Sequence, residues 1–202
     1  MRLTDKTVTA LLEAFRSTSP TPGGGSAAAL SGAIGASLLA MVAGLPKPRA
    51  ATESELKRLR DVGSQCAGLA LELEALVDRD SQAYEQVVAA YRMPKETEAE
   101  KAARAAEIQE ALKAAIEAPL DVMRACSAAI DRGPVLQQLG NTNASSDVQV
   151  GLELLRAGRA GARLNVEINL GSVKDAGYVA EVRTEAARLS ESGAAGAPTA
   201  SL

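Results

Sequence analysis

The chain has 202 residues, 47% of them hydrophobic, and a formal net charge of −3. It has no histidine, no tryptophan, three tyrosines, one phenylalanine and two cysteines. The missing histidine excludes zinc sites of the usual kind, Ser-His-Asp triads and Cys-His pairs. Scattered basic residues and the lack of stacking aromatics argue against a nucleic-acid partner.

A core so poor in aromatics must be filled by Ala, Leu, Val and Ile. That favours closely packed helices over a β-sandwich. Thr4 or Asp5 can cap a first helix with Val8, Leu11, Leu12 and Phe15 on one face. Ser17 to Ser26 holds two prolines and three consecutive glycines, which rule out regular structure there. From Ala27 to Gly44 the chain reads as a buried helix. Ala28, Gly32 and Ala36 form a smooth stripe for close backbone approach. Ser26 to Leu45 carries no charge and is long enough to span a membrane, but its Ala, Gly and Ser content fits a core helix better.

Pro46 and Pro48 break that helix. Thr52 to Tyr91 reads as one long helix or two in line, and Pro94 stops it. Thr97 with Glu100 marks a capped start. The helix runs toward Glu117, Pro119 kinks or restarts it, and Leu120 to Ile130 continues. Arg132-Gly133-Pro134 is a turn. Gly140 to Asp147 is a polar loop leading into another helix, where Gly151, Gly158 and Gly161 imply tight packing. Leu164, Val166, Ile168 and Leu170 alternate with polar residues, a strand signal on its own. No partner strand is evident, so the segment is assigned as a helix end. Asp175 can cap a last helix from Ala176 to about Leu189. The organisation expected is one domain over 1–191, with a disordered tail over 192–202. Cys66 and Cys126 read as buried free thiols. The N-terminus has no signal-peptide pattern.

Four segments carry groups with chemical potential. Gly23, Gly24, Gly25 and Ser26 precede an apolar helix, either as a tight turn or as a cradle of N–H groups for an anion or a carbonyl. Asn141, Asn143, Ser145, Ser146 and Asp147 either cap a helix or offer amides to a heterocyclic edge. Asn165 and Asn169 share one helix face, to satisfy neighbouring loops or to face a ligand. Asp80 sits in a helix interior, where propensity gives a carboxylate no advantage.

These stretches, taken in order, resemble the family that unites the cyclodeaminase domain of formiminotransferase-cyclodeaminase with bacterial methenyltetrahydrofolate cyclohydrolases. The resemblance rests on Ser19 to Ser26, Asp80-x-x-Ala83-Tyr84, Ala90 to Thr97, Glu100 to Arg104, Ala118-Pro119-Leu120, Gly140-Asn141 with Ser146-Asp147, and Asn165-Val166-x-Ile168-Asn169-Leu170. It implies an all-α, single-domain helical bundle that forms a dimer and works in the cytoplasm. It implies a tetrahydrofolate derivative as substrate, with no permanently bound cofactor, no metal and no membrane. The implied reaction is either loss of ammonia from 5-formimino-tetrahydrofolate or opening of the 5,10-methenyl ring by water. A folate-binding dimer without turnover is the alternative.

With no histidine, a carboxylate is the natural proton shuttle. Asp147, in the matched Ser-Asp pair, is the first candidate and Asp80 the second. The resemblance gives Gly23, Gly24, Gly25, Ser26, Asn141, Asn143, Ser146, Asn165 and Asn169 to substrate binding. Two features depart from the family. Leu45-Pro46-Lys47-Pro48-Arg49 stands where many members carry Gly-Lys-Lys-Lys; if those lysines grip the folate's glutamate tail, this chain is left with Lys47, Arg49 or nothing for that task. Val148-Gln149-Val150 follows Asp147 where small residues are usual.

Overall fold

The computed structural model describes residues 2–46 and 51–191. Lys47, Arg49 and the tail from 192 lie outside the described residues. The helices are α1 (Val8–Arg16), α2 (Gly24–Gly44), α3 (Glu53–Tyr91), α4 (Glu98–Ile130), α5 (Gly133–Leu139), α6 (Ser145–Leu170) and α7 (Ala176–Glu191). Short 3-10 turns lie at Leu3–Asp5 and Thr142–Ala144. No strand occurs among the described residues, so 164–170 is helical, as the missing partner strand required.

Helix starts follow local chemistry. Thr52 with Glu55, and Thr97 with Glu100, each form a reciprocal capping box. Asp175 accepts the Tyr178 N–H at 3.0 Å and opens α7. The cap of α1 is Thr7, which accepts the Ala10 N–H, and not Thr4 or Asp5. α2 begins at Gly24, three residues earlier than its apolar run suggests. Helix α3 is one unbroken rod of 39 residues.

Pro119 neither stops α4 nor restarts it. A proline inside a helix orphans the carbonyl four residues before it. That carbonyl belongs to Ala115, and the Asn169 side chain of α6 donates to it at 3.0 Å. The break expected from sequence is repaired from a neighbouring helix.

α2 is the one helix among the described residues long and apolar enough to cross a membrane. Here it lies between α3 and α6, with α4 completing the core. Its small residues allow close crossings. A Cβ built on Gly35 would stand 2.6 Å from the Gly151 carbonyl oxygen, and one on Gly158 would stand 2.7 Å from the Ala28 carbonyl oxygen. Around this seam Leu39, Leu73, Ile116 and Leu155 are fully buried. Each such burial is worth about 1.5–3 kcal/mol over exposure. Cys66 and Cys126 are buried free thiols, and burial pushes them up to about 11 and about 12. α7 is tied on by Arg124 of α4, whose guanidinium donates to both carboxylate oxygens of Glu185 at 2.8 Å and to Asp121 at 2.6 Å.

Candidate active site

The start of α2 meets the middle of α3 at Asp80. The Ser26 N–H donates to Asp80 Oδ2 at 2.9 Å, and the Ser26 hydroxyl lies 3.1 Å from the same oxygen. That hydroxyl also lies 2.8 Å from the Val77 carbonyl oxygen and 3.2 Å from Ser81 Oγ. Ser26 is fully buried. Asp80 thus caps α2 across 54 residues of sequence. Gly25 makes this possible: a Cβ there would stand 2.0 Å from Asp80 Oδ1. A glycine whose use is hard to read from sequence is needed for close approach, not for a turn.

Among the described residues no basic side chain compensates this carboxylate. Burial raises the Asp80 pKa above its ordinary value, and the Ser26 hydroxyl and N–H pull it partly back. The two residues before it have separate duties. Asp78 accepts from the Leu3 N–H and from the Thr4 hydroxyl, holding the N-terminal segment onto α3. Arg79 pairs with Asp121 of α4 at 2.7 Å.

Asp80 lines a cleft of about 350 Å³ together with Pro20, Thr21, Gly23, Gly24, Tyr84 and the α4 residues Leu112 and Ala115. Asn165 and Asn169 of α6 complete the wall. The Asn165 amide donates to the Gly161 carbonyl at 2.9 Å, which fixes its orientation, and Asn169 is fixed by Ala115. The cleft therefore joins a loop and four helices, and brings together a carboxylate that can exchange a proton, two side-chain amides that can bond a polar edge, and the apolar surfaces of Tyr84, Val87 and Leu112. Sequence reasoning did not give Tyr84, Pro20 or Thr21 a role. Tyr84 carried two signals, its place in the Asp80-x-x-Ala83-Tyr84 stretch and its position four residues after Asp80 on one helix face.

The other predicted residues lie elsewhere. Asp147 sits in the first turn of α6, and Asn165 lies 18 residues further along. At 1.5 Å per residue that places Asp147 about 27 Å from the cleft wall. Asn141 donates to the Pro46 carbonyl at 2.6 Å and accepts from the Asn143 N–H at 2.9 Å, a loop-closing role. Asn143 and Ser146 are exposed. The structure brings together Gly23, Gly24, Gly25, Ser26, Asp80, Asn165 and Asn169. It leaves Asn141, Asn143, Ser146 and Asp147 at the opposite end of α6. Asp147 has the sequence signal of a polar helix start and is half-buried like Asp80, but it does not line this cleft. No group of three or more acidic or cysteine side chains suited to a metal occurs among the described residues.

Three comparisons bear on this site. A family model described as formiminotransferase-cyclodeaminase matches residues 7–188. A methenyltetrahydrofolate cyclohydrolase from Methylorubrum extorquens is 39% identical over 180 residues, covering 88% of this chain and 85% of that protein. A formimidoyltransferase-cyclodeaminase from Sus scrofa is 36% identical over 176 residues, covering 86% of this chain but only 32% of that protein, so the chain spans about a third of it. A crystal structure of formiminotetrahydrofolate cyclodeaminase from Thermotoga maritima superposes with a TM-score of 0.84 at 25% identity, over 95% of this chain and 91% of that one.

Proposed function

Because the chain belongs to the formiminotransferase-cyclodeaminase family, we propose that it converts one-carbon adducts of tetrahydrofolate through 5,10-methenyltetrahydrofolate, with Asp80 as the proton shuttle. The observation that carries this reading is the half-buried Asp80 carboxylate, fixed by Ser26 and lining a cleft with no compensating cation among its described lining residues. The first reaction is hydrolysis of the methenyl ring. It is favoured by a cyclohydrolase relative matched over 85% of its length. Ring closure with loss of ammonia is the second, favoured by the fold likeness to the Thermotoga maritima enzyme.

Hydrolysis needs one proton taken up and one returned. Asp80 removes a proton from water as its oxygen bonds to the methenyl carbon, and the positive charge of the N5–C–N10 bridge is neutralised. The tetrahedral carbon then breaks its bond to N5. Asp80 returns the proton to N5, the hydroxyl proton of the tetrahedral carbon leaves to solvent as the C=O bond forms, and the neutral formyl group stays on N10. In the deamination N10 is the nucleophile, and the proton goes to the departing nitrogen. A carboxylate with a raised pKa serves both steps, because it binds a proton readily and gives it back. Asn165 and Asn169 bond the pterin edge, and the N–H of Gly24, at the first turn of α2 where no helical acceptor exists, is offered to its oxygen.

Loss of 5,10-methenyltetrahydrofolate absorbance on incubation with the protein tests the reading. Binding without turnover selects the folate-binding alternative, and neither result leaves the family reading without an activity. Ser26→Ala refines the test. The hydroxyl holds the Asp80 pKa down, so its removal raises that pKa further. The ionised base is then lost at a higher pH, and the acid limb of the kcat/KM profile moves up. An unmoved limb separates Ser26 from the shuttle.

A second copy of the chain is the proposed partner. Leu11, Leu30, Ala33, Ile34, Met41 and Leu71 line a groove of about 870 Å³ on the face of α1, α2 and α3. Val8 and Leu71 are 76% and 68% exposed. Apolar patches of this extent mark interaction surfaces. The double variant Ile34→Glu with Leu71→Glu is expected to halve the mass seen by light scattering. A wild type that is already monomeric overturns the pairing.

A further inference from the structure

The cleft at Asp80 does not end at Tyr84. A second depression of about 560 Å³ is lined by Pro20, Thr21, Tyr84, Glu85, Val88, Ala89 and Arg92. It shares Pro20, Thr21 and Tyr84 with the first. The two are one groove that bends roughly a quarter turn around α3, under the Pro20-Thr21 loop. Tyr84, 43% exposed, stands at the bend. Arg92, the C-cap of α3, stands at the far end and is the one cationic residue among the described residues of this lining.

We infer that this outer groove is the seat of the substrate's benzoyl-glutamate arm, with the aryl ring on Tyr84 and a glutamate carboxylate on Arg92. The inference rests on the folate reading of the Asp80 cleft. Its support is geometric and chemical. Twelve residues of helix separate Asp80 from Arg92, about 18 Å of rise. An arginine side chain spans ~6 Å and leans toward the start of its helix, leaving roughly 12 Å along the axis plus the sideways offset of the bend around α3. An extended arm from N10 to the α-carboxylate covers roughly 10 Å by ordinary bond lengths, and the glutamate side chain carries its γ-carboxylate further along the groove. The order of groups also fits: carboxylate shuttle, flat aromatic surface, then a fork of donors suited to a carboxylate. Glu85 lies in the same groove and opposes an anion, so affinity there is a balance of the two charges.

The test compares 5,10-methenyltetrahydrofolate with 5,10-methenyltetrahydropteroate, which lacks the glutamate, on the full chain. Arg92→Met is expected to raise KM for the glutamate-bearing substrate about tenfold, with kcat unchanged and the pteroate substrate unaffected. Glu85→Gln is expected to lower KM for the same substrate only. Rising salt is expected to raise KM in the wild type and to lose most of that effect in Arg92→Met. An unchanged KM in Arg92→Met overturns the inference and points to another cation. An equal rise for both substrates overturns it as well, since the loss is then not of a carboxylate contact. A wild type that turns over neither substrate sinks the folate reading itself, which is a separate outcome.

Discussion

Asp80→Asn lowers turnover of 5,10-methenyltetrahydrofolate by about 10²–10⁴-fold, yet the variant melts no earlier than the wild type. Asparagine keeps the shape of the side chain and an oxygen to accept the Ser26 N–H and hydroxyl. It has no carboxylate to exchange a proton. It also removes the cost of burying a charge without a cation beside it. The sign of the pH dependence follows. The folded-state pKa of Asp80 lies above its ordinary value because burial disfavours the charged form. Folding therefore favours the protonated acid. That contribution is fully present below the unfolded pKa and is lost as pH rises through the folded one. Melting the two proteins in parallel across the acidic range checks this: their difference should grow in the variant's favour as pH rises. Near-normal turnover would remove Asp80 from the chemistry, and an unfolded variant would make it a purely structural cap.

The second large effect concerns the seam between α2 and α6. Gly158→Val is expected to destabilise the chain by about 3 kcal/mol, a fall of roughly 6–12 °C in Tm. The added carbon would stand 2.7 Å from the Ala28 carbonyl oxygen and 3.0 Å from the Gly32 nitrogen. Both are backbone atoms of a buried helix, so neither moves aside as a side chain tip does. Gly68→Ala is the control. Nothing stands within 4 Å of its added carbon, and alanine gains about 1 kcal/mol of helix propensity over glycine. Opposite signs at two helical glycines, read by thermal melts, test the seam; two equal shifts refute it.

Much of the fold was legible because helical periodicity and capping are local. Thr97 with Glu100 and Asp175 announce their helices within a few residues. The Ala28, Gly32 and Ala36 stripe is buried as its spacing suggested. What was not legible depended on pairing across the chain. Pro119 looks like a break until Asn169, fifty residues on, supplies the missing donor. Asp80 looks like one more charge on a helix until Ser26 is brought against it. Asp147 carried the stronger local signal, a polar helix start beside a serine, and α6 then carried it away from the cleft. The glycine loop and the two asparagines of α6 were readable as candidates, but only the packing shows that they line one cleft.

Three consecutive residues of α3 point to three different places. Asp78 holds the N-terminal segment, Arg79 reaches α4 and Asp80 holds the start of α2. A helix turns about 100° per residue, so inserting or deleting one residue upstream in α3 would rotate this trio and hand each task to the wrong neighbour. Length variation among homologues should therefore be absent between Glu53 and Asp80 and collect in the connections, which makes the spacing of that rod a marker for finding further members in which Ser26 and Asp80 still meet.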